Sequence, residues 1–145
     1  MSDFETAYAR HKDLRANANA LNKAVVFDAL TAAGITSVSA EFNGEGDSGQ
    51  IDDILAYADE NRIDFPSTKI KLHSADWGQR ELGVKEFSLY DAIEDLCYGY
   101  LEQTHGGWEN NDGAYGEFTF HVADSRIELE FNGRFTDTWS DAHTF

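Results

Sequence analysis

Apolar side chains recur at steps of three and four residues from Phe4 through Tyr8, Leu14, Ala18, Leu21 and Val25 to Leu30, the period of a helix with one buried stripe. This predicts one long helix, or two joined segments with Asn17 or Asn19 as a cap, closed by Gly34 as a helix C-terminal glycine. Over residues 36–42 the period falls to two: Val38, Ala40 and Phe42 alternate with Ser37, Ser39 and Glu41, as in a half-buried strand. A glycine-rich loop, 43–49, leads into Ile51, Ile54, Leu55 and Ala58, whose spacing reads as a short helix. Pro66 marks a boundary. In the strand expected at 69–73, Lys69 and Lys71 point outward, where Glu41, Glu128 or Glu130 are the expected cross-strand partners. Residues 74–83 carry no assignable pattern.

Phe87, Tyr90, Ile93, Leu96, Cys97, Tyr100 and Leu101 trace the clearest amphipathic helix, with Glu94, Asp95 and Glu102 left for water. Gly106 and Gly107 stop it. Phe118, Phe120 and Val122 then alternate, a short turn covers 123–125, and Ile127, Leu129 and Phe131 return the chain, which predicts an antiparallel hairpin. Residues 134–145 show no period. The expected fold is α+β: a single domain over residues 1–145, with an antiparallel or mixed sheet of about four strands packed against amphipathic helices. A helical N-terminal segment, 1–34, precedes an acidic sheet-containing body, 35–145.

Length and composition narrow the class. A chain of 145 residues fits one domain of about 100–150 residues, and 41% hydrophobic with 13% aromatic side chains belongs to a folded globule. The formal net charge is −16, from 27 acidic and 11 basic residues. Residues 1–33 are balanced, four basic against four acidic, so the body carries nearly all the excess, seven basic against twenty-three acidic. Such a field repels phosphate backbones and anionic lipid and draws basic proteins or cations, so neither nucleic acid nor a membrane is the expected partner. No apolar run reaches membrane-spanning length and no basic-then-apolar leader is apparent, so a cytoplasmic location is expected. Cys97, the single cysteine, lies on the apolar stripe of the second helix and reads as core packing.

Several motifs tempt and fail. Gly44-Glu45-Gly46-Asp47-Ser48-Gly49 satisfies the dinucleotide spacing, yet Glu45 and Asp47 would set carboxylates where a pyrophosphate should sit. The same stretch echoes a serine-protease nucleophile segment around Ser48, without contexts for a histidine and aspartate. Around Asn110-Asn111-Asp112-Gly113 a calcium loop would need ligands where Trp108 and Thr119 stand. The five histidines lack paired metal-ligand spacing, and no cofactor is expected.

One convergence survives. An antiparallel hairpin sets the loop 105–116 beside 132–137, and if the strand at 36–42 runs parallel to that at 126–132, the loop 43–49 joins them. That gathers Asp47, Ser48, Glu109, Asn110, Asn111, Asp112, Arg134 and Asp137, with Trp108 and Tyr115 as stacking residues. Such a set suits a polar ligand, a divalent cation or a basic side chain; the same residues also serve ordinary turns.

The stretch Asn22-Lys23-Ala24-Val25-Val26-Phe27-Asp28-Ala29-Leu30 running on to Gly44-Glu45-Gly46-Asp47-Ser48-Gly49-Gln50-Ile51, and His105-Gly106-Gly107-Trp108-Glu109-Asn110-Asn111-Asp112-Gly113-Ala114-Tyr115-Gly116-Glu117-Phe118, resemble a family of small, acidic, uncharacterised bacterial proteins, a domain of unknown function carried on plasmids and phage-like elements. The similarity spans about residues 22–145, with 67–86 the least recognisable part. It implies carriage by mobile DNA and transfers no catalytic residue. The expectation is a non-enzymatic acidic protein that binds a basic protein surface, such as a defence or nucleic-acid-handling factor. The alternative is a small-ligand or divalent-metal-dependent hydrolase using the carboxylates and amides of the sheet edge.

Overall fold

The first helix, α1, runs unbroken over Asp3–Ala32 in the computed structural model, which describes residues 3–45, 48–74, 82–105, 114–133 and 139–145. Its buried stripe includes Ala18, Asn19, Asn22, Val26, Phe27 and Leu30, the steps of one helix face. Gly34 has a φ of 75°; its N–H donates to the Thr31 carbonyl at 3.1 Å, and the Ile35 N–H donates to the Leu30 carbonyl at 3.0 Å. This is a Schellman closure, which needs a left-handed residue at that position and turns the buried Ile35 toward the core.

The strands are β1 (Ser37–Glu45), β2 (Ser48–Ala58), β3 (Asn61–Ile63), β4 (Lys69–Ser74), β5 (Gly83–Ser88), β6 (Ala114–His121), β7 (Arg126–Gly133) and β8 (Trp139–Thr144), with α2 (Leu89–His105) between β5 and β6. Among the described residues six strands form one sheet in the order β3-β2-β1-β6-β7-β8, and β4 and β5 form a separate pair. Every pairing is antiparallel. The α+β class stands, while the expected sheet of about four strands is too small.

Three departures from the sequence pattern have physical causes. Residues 51–58 belong to β2, not to a helix. The register steps from Glu41 opposite Asp53 to Phe42 opposite Ile51, so Asp52 is an extra residue in a β-bulge. The bulge stretches an alternation of two into a spacing of three, and Ile51 and Ile54 both reach the core, imitating a helical step. The Tyr98 hydroxyl of α2 accepts the Ile51 N–H at 2.9 Å and holds the bulge. Second, β5 is exposed along its first four residues, so no buried face imposes alternation on it, and in β8 the half-buried His143 lies between the exposed Ala142 and Thr144, a sequence with no apolar contrast. Third, Lys71 stands opposite Glu86 and Lys69 opposite Ser88, not opposite Glu41, Glu128 or Glu130, because β4 lies outside the large sheet. The hairpin β1–β2 also removes the strand-turn-helix setting that a dinucleotide fingerprint needs.

Both helices pack on one face of the large sheet. Phe27 of α1 meets Phe120 with ring centroids 5.9 Å apart, and His105 of α2 stacks on Phe131 at 3.7 Å. Phe118, Phe120, Ile127 and Leu129 are at most 1% exposed. Cys97 lies fully inside this core, and burial holds its thiol well above the ordinary range, so it stays protonated and inert. The small hairpin is tied to α1 by Asn22: its amide donates to the His73 carbonyl at 2.9 Å, and its oxygen accepts the His73 N–H at 2.7 Å.

Candidate functional site

One end of the large sheet carries glycine and alanine across β2, β1, β6 and β7. Gly44 pairs with Gly49 on one side and Ala114 on the other, Ala114 with Gly133, and Gly133 with Trp139. Segments 46–47, 106–113 and 134–138 each connect to this end. Of the residues expected to form a site there, Asp47, Trp108, Glu109, Asn110, Asn111, Asp112, Arg134 and Asp137 lie outside the described residues. Ser48 begins β2, its backbone paired with Glu45. Tyr115 sits in β6 between Asn43 and Asn132, 39% exposed, and its carbonyl accepts the Asn132 amide at 3.4 Å.

The face of the sheet opposite the helices carries a feature that linear reading misses. Register places Asp53 opposite Glu41, Glu41 opposite Glu117, and Glu117 opposite Glu130. Four carboxylates therefore occupy one row across β2, β1, β6 and β7, on strands about 4.7–4.9 Å apart. The bulge adds Asp52 beside them, its carboxylate accepting the Gln50 amide at 2.6 Å. Glu128 follows Glu130 two residues back on the same face. The signal was present in the sequence as polar positions of alternating strands, but only the register aligns them.

Among the described residues, the ion-paired cations of that face lie at its far end. Glu128 contacts Arg126 at 3.4 Å and His121 at 3.5 Å. Among the described residues, Glu41, Asp53 and Glu130 have no ion-pair partner, and Glu117 accepts only the Ser39 hydroxyl, at 3.0 Å. Two troughs flank the Glu117–Glu130 pair. One, of about 570 Å³, is walled by Thr119, Glu128, Ala142 and Thr144; the other, of about 420 Å³, by Glu41, Asn43, Asp52, Tyr115 and Asn132. Like charges directly opposite in a sheet are destabilising by roughly 0.2–1 kcal/mol per pair, so the row opposes stability. What it can do is hold several guanidinium or ammonium groups at once, with Tyr115 presenting a ring beside the carboxylates. Among the described residues no three His, Cys, Asp or Glu side chains converge as a metal would require.

The family of unknown function DUF6878 matches residues 18–145. The chain belongs to this family. The matched span of the DUF6878 protein begins at Ala18, a buried residue of α1. No curated protein and no solved structure matches it. No described helix is long and apolar enough to cross a membrane.

Proposed function

We propose that this DUF6878 protein is a non-enzymatic interaction protein that receives a basic protein surface on the open face of its six-stranded sheet. The observation that supports the reading is the row Asp53, Glu41, Glu117 and Glu130, four neighbouring carboxylates kept where stability alone would favour alternating charge. A partner that supplies Lys or Arg to this row relieves the repulsion as it binds, so the free protein is prepared for a cationic surface. Carriage on plasmids or phage-like elements, which the resemblance implies, would make that surface one of a host defence or nucleic-acid-handling protein. The test is titration with an Arg/Lys-rich peptide followed by NMR at roughly 0.05 and 0.3 M salt, across which screening changes steeply. Shifts concentrated on β1, β6 and β7, lost in Glu41→Gln/Glu130→Gln, are expected. Shifts spread evenly over all acidic positions would defeat it.

A second reading, a divalent-metal or small-ligand hydrolase, draws on the shared sheet end at Gly44, Ala114 and Gly133, to which the carboxylate-bearing segments connect. Thermal melts with Mg²⁺ or Mn²⁺ at millimolar concentration separate the two: a site of this kind raises the midpoint, and its absence leaves it unmoved.

A further inference from the structure

A cleft of about 100 Å³ lies between α1, the β4–β5 hairpin and α2, away from the large sheet, and its lining carries both signs of charge: Arg15, Lys85 and Asp95, with Ser74 beside them. Its walls are fixed. The Asn22 amide is held by the His73 backbone, and Asn19 donates to Gln103 at 2.9 Å, in a place that exists because α2 carries Gly99 there: a Cβ would overlap the Asn19 oxygen. Within these walls two buried donors lack partners. Arg15 gives Nη2 to Glu102 at 3.3 Å, but its Nε and the Ser74 hydroxyl are buried without a hydrogen bond. Among the described residues, Asp95 forms no ion pair with Arg15 or Lys85, although both line the cleft with it. Burial lifts the Asp95 carboxyl above its ordinary range more than the two cations lower it, so the charge there is under-compensated.

We propose that this cleft binds a small zwitterion of the α-amino acid class, its carboxylate taken by Arg15 and Ser74 and its ammonium by Asp95. The two-signed lining decides the class. A plain anion meets Asp95, a plain cation meets Arg15, and a ligand carrying both charges a carbon or two apart satisfies each side. Binding turns the Arg15 Nε–H and the Ser74 hydroxyl toward the ligand, relieving donors that are costly to leave unmet. The volume holds about three waters at ~30 Å³ each, which suits glycine or alanine and excludes large side chains.

The experiment titrates the full chain with glycine and L-alanine, following the Arg15 Nε–H and the Ser74 and Asp95 amides by NMR, with acetate and methylammonium as single-charge controls. Saturable shifts at these three residues are expected, with both controls at least about tenfold weaker, and a similar loss in Asp95→Asn. Ser74→Ala, which removes one partner and little structure, serves as the second variant and should weaken binding with the fold intact. Acetate binding as tightly as glycine would make this an anion site and overturn the proposal. No saturation by glycine or alanine up to about 50 mM, where even a weak millimolar site would be filled, would leave a cleft that holds water only.

Discussion

The two faces of the six-stranded sheet are written by alternate residues of the same strands, yet they obey opposite rules. On the inner face Val38, Ala40, Phe118, Phe120, Ile127 and Leu129 are buried at 1% exposure or less, and each neighbour supports the next. On the outer face Asp53, Glu41, Glu117 and Glu130 stand side by side, and each neighbour opposes the next. Packing explains the first face; on the second, the repulsion between neighbours is what the proposed basic partner would relieve. The contrast teaches that the sign of a position's nearest cross-strand contact separates residues that support the sheet from residues that oppose it.

The comparison can be broken most severely from inside. Phe118→Ala empties a fully buried ring site and is expected to cost about 3–5 kcal/mol, read as a lowered denaturant midpoint. Gly116→Ala tests where the faces meet: a Cβ there overlaps the Glu130 carbonyl oxygen and comes within 2.8 Å of the Phe42 ring, so a loss of about 1–3 kcal/mol follows from overpacking. Tyr98→Phe leaves the Ile51 N–H of the bulge without its acceptor and should cost about 1–2 kcal/mol, with hydrogen exchange at Ile51 accelerated. The outer face should answer in the other direction. Glu130→Lys places a cation opposite Glu117 and is expected to raise stability by about 0.2–1 kcal/mol, while reducing the stabilisation that added salt gives the wild type.

The smallest effect concerns pH. Burial first, then neighbouring carboxylates, raises Glu94; burial raises Asp95 against the pull of Arg15 and Lys85. A raised carboxyl means that the native state holds its proton more firmly than the unfolded chain. Stability from these groups is therefore present at low pH and lost as pH climbs from the ordinary carboxylate range through the raised native values. Asp95→Asn should flatten that part of a stability–pH curve.

Much of the fold was legible in the chain. The steps of α1 and α2, the β6–β7 hairpin and the closing Gly34 follow local rules of period and turn chemistry, and local rules need no knowledge of neighbours. The stretch 51–58 was misread because a bulge at Asp52 converts strand alternation into a three-residue step. The strands β5 and β8 carry no legible period because neither sets apolar residues on a buried face against polar ones: β5 is exposed over its first four residues, and His143 is the half-buried residue between exposed Ala142 and Thr144 in β8. Of the residues expected at the sheet end, Tyr115 is the one whose side chain falls on the open face as described. The carboxylate row escaped notice for a different reason: its members come from positions 41, 53, 117 and 130, and their adjacency depends on register, which one slipped residue would undo.

Asn22 carries a last consequence. With one amide it offers β4 the donor and acceptor that an incoming strand would bring, so a helix side chain impersonates a peptide backbone at His73. The hairpin edge is thereby satisfied at His73, where an incoming strand would otherwise find a free donor and acceptor.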